Sequence, residues 1–174
     1  GIDDVLIIIG RNKNNLSNHF DSVPELESTL ERKGDHSKLA KVQHSSELAD
    51  IHFVRQGEPK GLGHAVLRAK NHVGDATFAV LLGDDLIDAR DPLLTTMIAE
   101  NERTGLTVIA LMEVDPEHIH LYGVAEVEPT DTPDVVRVKG LVEKPKREDA
   151  PSNYAVIGRY VLTPQVFDNI ATTE

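Results

Sequence analysis

The sequence has no cysteine and no tryptophan, and only 4% of its residues are aromatic. Without cysteine there are no disulfides, no thiolate metal sites and no cysteine nucleophile. With so few aromatic rings, the stacking platforms that hold single-stranded nucleic acid are missing. The net charge of −11 opposes non-specific attraction to nucleic acid or to anionic membranes. No apolar run approaches membrane-spanning length, and Gly1-Ile2-Asp3-Asp4 does not read as a signal peptide, so a cytoplasmic location is expected. No serine sits in a nucleophile elbow, which leaves a hydrolase triad unsupported. Neither G-x-x-x-x-G-K-[ST] nor G-x-G-x-x-G occurs, which leaves out the P-loop and the common dinucleotide fingerprint.

What is present is an alternation of apolar strands and helices. Residues 4–10 form a β-branched run ending in glycine, expected to be a strand buried on both faces. Residues 24–48 read as helix, opened by Pro24 with Glu25 and Glu27 and broken at Gly34-Asp35. Strands are expected at 51–55, 77–83 and 106–112, with helices at 62–73 and 91–104 between them; Asp91 is the expected N-cap of the latter, ahead of Pro92. This is the order of an α/β fold with crossover connections and a mostly parallel sheet flanked by helices. After residue 119 the texture becomes β-rich, with strands expected at 122–127, 135–142 and 154–162, and a short helix opening at Thr163-Pro164.

Ligands of open parallel sheets bind beyond the carboxyl ends of the strands, where three loops fall. In the first, Gln56 to His64, glycines allow backbone to approach a flat ligand and Gln56 can both donate and accept; the same glycines also suit a plain tight turn. In the second, Gly83-Asp84-Asp85 follows an apolar strand. The paired carboxylates suit a hard cation such as Mg²⁺, or equally a capping turn. The third, Glu143-Lys144-Pro145-Lys146-Arg147, gathers three cations that could hold phosphate or simply face solvent. His118 and His120, two apart on an expected strand face, lack a third ligand and read as a surface pair. His64 reads as a residue packed at a helix start.

Four segments, "RQGEPKGLGHAV" (55–66), "VLLGDDLI" (80–87), "YGVAEVE" (122–128) and "LVEKPKREDAPSNYAVIGRYVLTPQVFD" (141–168), resemble in order and spacing those of the bacterial UTP–glucose-1-phosphate uridylyltransferases. The resemblance runs over essentially the whole chain. It implies a Rossmann-like nucleotidyltransferase fold with an added β-rich sugar-binding portion, and the reaction UTP plus glucose 1-phosphate giving UDP-glucose and pyrophosphate. It implies Mg²⁺ at Asp84, a sugar-hydroxyl contact at Asp85, and uracil held by Gln56 and the backbone around Gly61 and Gly63, with Lys60 in the same substrate-binding loop. It further implies Gly123, Glu143 and Gly158 on the sugar side, and Lys144 at the phosphate as a catalytic cation beside Asp84. Homo-oligomers are implied for the complete enzyme.

Relatives using dTTP or ATP are the nearest alternative; the thymidylyl type resembles this chain less at His64, and near Thr163 it places an acidic metal ligand. The family's G-x-G-T-R and P-x-T-K segments do not occur in the sequence, nor does a second metal carboxylate. The expectation is therefore a single domain over residues 1–174, the middle part of an enzyme without its triphosphate loop and C-terminal part. Such a chain would be inactive alone, or a non-catalytic binder of nucleotide sugars.

Overall fold

The computed structural model describes residues 2–172. The chain forms two compact units. One runs to Asp75 and takes in the segment from Gln165; the other spans Ala76–Pro164.

The first unit is built on two parallel strands, β1 (Asp4–Ile9) and β2 (Asp50–Arg55), in register from Asp4 opposite Asp50 to Ile9 opposite Arg55. Parallel neighbours need a crossover. Here it contains α1 (Asn14–His19), α2 (Pro24–Arg32) and α3 (His36–Glu47). The break between α2 and α3 falls where the sequence places it: Gly34 has φ +65°, and the Asp35 carboxylate caps α3 by accepting from the Lys38 N–H at 3.2 Å. The short α1 has no apolar period to announce it. After β2 the chain enters α4 (Leu62–Leu67) and α5 (Lys70–Val73), two pieces where one helix is expected. The junction tightens into i→i+3 bonds, with Arg68 N–H donating to Ala65 O at 3.1 Å and Ala69 N–H to Val66 O at 2.9 Å. The last helix, α7 (Gln165–Thr172), packs on α4.

Strand β1 is half-buried rather than buried on both faces. Among the described residues, β1 and β2 pair only with each other, so each keeps one edge without a strand partner.

The second unit is a five-stranded sheet organised by β7 (Tyr154–Leu162). β4 (Val108–Glu113) takes one edge of β7; β3 (Phe78–Leu81) and β5 (Gly123–Pro129) share the other. The sharing follows from the register: Val161 faces both Ala79 and Val108, whereas Ala155 faces both Val124 and Met112. β6 (Val136–Glu143) pairs with β5 through a bulge near Glu126. Strands β3 and β4, joined by α6 (Leu93–Thr104), run in the same direction, as a crossover requires. They do not pair because β7 is inserted between them, antiparallel to both. The α/β class is as expected, but parallel pairing is confined, among the described residues, to β1 and β2.

Helix α6 covers this sheet. Met97 packs with Ala110 and Val161, surrounded by Leu93, Leu94, Ile98, Val108 and Ile157. Its start differs from expectation: Asp91 lies just outside the helix and accepts from the Leu93 N–H at 2.9 Å, while Pro92 holds the cap position. Its end is a left-handed Gly105, with the buried Asn101 side chain donating to Leu106 O at 2.7 Å. Among the described residues, no helix is long and apolar enough to cross a membrane.

Candidate active site

In the first unit, the loop after β2 closes on itself. Gln56 N–H continues the ladder to Ile9 O at 2.9 Å, and the Gln56 side-chain amide donates to Gly61 O at 3.0 Å. The same amide nitrogen lies 3.2 Å from His64 Nδ1. Gly61 has φ +95° and ψ −178°, a region open essentially to glycine alone. The turn therefore requires glycine at position 61 for its own backbone. Gln56, Gly61 and His64 are one hydrogen-bonded group, with the Gln56 amide oxygen left over. His64 is a partner of Gln56, a role the sequence does not announce. Gly63 opens α4 against Ile170, and Lys60 is an exposed cation 3.2 Å from Glu58.

In the second unit, the acidic loop follows β3. Its position is set by Gly158, at the point on β7 where β3 leaves the shared edge and β5 has not yet joined it. Leu82 N–H donates to Gly158 O at 2.9 Å, and the Gly158 N–H, which no strand claims, donates to Asp85 Oδ2 at 2.6 Å. This approach leaves no room for a side chain. A Cβ at Gly158 would lie 2.6 Å from Leu82 Cβ and would overlap the Asp85 carboxylate.

Arg159 completes the clasp. Its guanidinium donates to Leu82 O at 3.1 Å, to Gly158 O at 2.8 Å and to Asp85 O. One planar fork thus ties both ends of the Leu82–Asp85 turn to β7. The sequence signal for Arg159 was available: it is the one cation in the apolar strand Tyr154–Leu162. Asp84, at the tip, is exposed and has no hydrogen-bond or ion-pair partner among the described residues.

The third loop leaves β6 at Glu143, which stands opposite Gly123 in the β5–β6 ladder. A Cβ at Gly123 would meet Glu143 Oε2 at 3.1 Å, so the Glu143 carboxylate lies close over this glycine. Lys144 has φ +45°, a conformation that costs a non-glycine residue roughly 1–3 kcal/mol. Two features hold it there, the Lys144 N–H bond to Tyr122 O at 3.1 Å and the buried Pro145 that follows. Its exposed ammonium lies 3.7 Å from Glu143 Oε1. Tyr160 links this corner to the acidic loop: burial pushes its phenol pKa up, and the nearby carboxylates of Asp85 and Glu143 add to the shift. Asp85, Gly158, Tyr160, Glu143, Gly123 and Lys144 thus share one part of the second unit. His118 and His120 lie at a 3₁₀ turn (Ile119–Leu121) just before Tyr122, rather than on a strand.

Chemically, the second unit presents a free carboxylate, a carboxylate and a cation paired at a strand end, and a strained lysine backbone. That set suits a polyhydroxylated, phosphorylated ligand with a hard cation. The UTP--glucose-1-phosphate uridylyltransferase of Bacillus subtilis (strain 168) is 48% identical over 168 residues, covering 96% of this chain and 57% of that protein. A solved UDP-glucose pyrophosphorylase complexed with UDP-glucose superposes with a TM-score of 0.83 at 36% identity, over 99% of this chain and 62% of that one. A UTP-bound UGPase from Acinetobacter baumannii superposes with a TM-score of 0.89 at 34% identity, with the same shares covered. The chain thus spans somewhat under two thirds of the length of these relatives. The family model described as Nucleotidyl transferase matches residues 1–174 from end to end, and this chain belongs to that family.

Proposed function

We propose that these residues serve uridylyl transfer from UTP to glucose 1-phosphate, giving UDP-glucose and pyrophosphate. The observation that carries the reading is the clasped acidic loop. Gly158 and Arg159 fix the Leu82–Asp85 turn while Asp84 stays free at its tip. The relatives' names supply the substrates.

In this reading a phosphate oxygen of glucose 1-phosphate attacks the α-phosphorus of UTP. One P–O bond forms, the α–β bridging P–O bond breaks, and its electron pair leaves with pyrophosphate. The attacking oxygen is already anionic, so no general base is needed. The obstacle is the approach of two anions. Lys144, on its constrained backbone, places an ammonium at the sugar phosphate and offsets that repulsion. Glu143 and the remaining oxygen of Asp85 accept from glucose hydroxyls, the backbone at Gly123 lies against the sugar, and Gly158 completes the sugar side by holding the Asp85 carboxylate in place. Gln56, once its amide turns from Gly61, reads the uracil edge, with the loop backbone of Lys60, Gly61 and Gly63 against the ring. Asp84 fits a divalent cation as a hard oxygen donor without a protein partner; Mg²⁺ bound there would neutralise phosphate charge.

Turnover is the test, in a protein carrying these residues at the full length of its relatives. Pyrophosphate release from UTP plus glucose 1-phosphate should exceed that from dTTP or ATP. Lys144→Ala should lower kcat/KM by about a hundredfold or more. Equal use of the three nucleotides would remove the uridylyl assignment, and near-normal rates in the variant would remove the role of Lys144.

A further inference from the structure

A second cluster of ligating side chains lies in the first unit and differs in chemistry from Asp84. Asp4 is on β1, His52 on β2 and His72 on α5. The register brings the first two to one sheet face. His52 stands opposite Leu6, and Asp4, two residues earlier on the same strand, shares the face of Leu6. Helix α5 then supplies His72. The Nε2 of His72 is 2.9 Å from Asp4 Oδ1, and the Nε2 of His52 is 3.8 Å from the same oxygen. The two imidazole centroids are 4.8 Å apart. The three ligand atoms all lie within 4.8 Å of one another, and all three residues are exposed.

A tetrahedral zinc ion with bonds of about 2.1 Å places its ligand atoms about 3.4 Å apart. The observed separations straddle that value, so small side-chain rotations would bring all three atoms onto one ion. A histidine–aspartate hydrogen bond by itself needs only one imidazole. The second ring, brought against the first, would repel it if both were protonated. A cation shared by the three groups turns that crowding into coordination. Two nitrogens and one carboxylate suit a borderline transition ion with water in the open position; Mg²⁺ and Ca²⁺ prefer oxygen donors throughout. The ligands come from secondary structure and not from loops: two hydrogen-bonded strands and the short helix α5.

We propose that Asp4, His52 and His72 form a binding site for a divalent ion of the zinc class. The bound ion ties β1, β2 and α5 together and stabilises the first unit. It is distinct from the oxygen-liganded cation proposed at Asp84 and stands or falls independently of uridylyl transfer.

The test is calorimetric titration of the chelator-stripped chain with Zn²⁺ in a buffer that does not bind metal, with Co²⁺ absorption as a second reading. One saturable site is expected, undisturbed by excess Mg²⁺ or Ca²⁺, and Zn²⁺ should raise Tm. His52→Ala and His72→Ala should each weaken binding by more than about tenfold and abolish the Tm rise. Asp4→Asn should act in the same direction, and provides the reading if a histidine variant fails to fold. The double variant His118→Ala, His120→Ala should bind as the parent does. Absence of a saturable site would overturn the proposal, as would binding that survives the loss of His52 and His72 or disappears with His118 and His120.

Discussion

The loop after β2 and the loop after β3 both depend on glycine, for opposite reasons. At Gly61 there is open space around the position of a Cβ, but the backbone adopts φ +95°, ψ −178°. At Gly158 the backbone is not left-handed, but Leu82 and Asp85 already fill the space a Cβ would take. One glycine is required by its own dihedrals, the other by its neighbours. The lesson concerns the two loops as ligand sites. The Gln56 loop is shaped by local chain geometry and closed by its own side chains. The acidic loop is shaped from a distance, by a strand that follows it more than seventy residues later in the chain.

The contrast predicts an order of effects. Gly158→Ala should be the most damaging, by about 3 kcal/mol or more, because it combines overpacking with loss of the Gly158–Asp85 hydrogen bond. Thermal or urea unfolding of the chain would show it, and a loss under 1 kcal/mol would mean that the loop yields easily. Arg159→Met comes next, at about 2 kcal/mol or more, since three carbonyl oxygens lose a charged donor. Arg159→Lys should recover less than half of that, because one ammonium cannot reproduce the fork; full recovery would show that charge alone suffices there. Gly61→Ala should cost about 1–2 kcal/mol through backbone strain. Gly63→Ala is the small-effect control. Its Cβ would meet Ile170 at an ordinary 3.6 Å within a helix, so stability should move by no more than about 0.5 kcal/mol. Should the two glycine variants of the first loop behave alike, dihedral strain is not what sets that turn.

Local features were legible in the sequence. The bounds of β7 at 154–162, the break at Gly34-Asp35 and the β-rich change after residue 119 all follow from composition and spacing. Pairing was not. An apolar run such as residues 106–112 shows that a strand forms, but not which edge it offers, to whom, or how far it is buried: Ala110 is buried, whereas Leu106 and Met112 are exposed. The insertion of β7 between β3 and β4 is therefore invisible before the chain folds. The half-exposure of β1 has the same origin, since it depends on neighbours and not on the run itself. Within the candidate site, the glycines and carboxylates stand out because they cluster in the loops that follow apolar strands. Arg159 shows in the sequence only as a lone cation in an apolar strand and His64 only as a residue at a helix start; their roles depend on backbone and side chains that only the fold brings near. His118 and His120 were placed on a strand by two-residue spacing, where a 3₁₀ turn occurs instead.

The most direct test of the central claim, that these residues recognise a uridine-linked sugar, is calorimetric titration of the 174-residue chain with UDP-glucose and Mg²⁺. ADP-glucose and dTDP-glucose serve as comparisons. The account predicts saturable binding of UDP-glucose, at least about tenfold tighter than either comparison and weakened by Glu143→Gln. Indifference to the base, or no binding by a chain that circular dichroism shows to be folded, would contradict it.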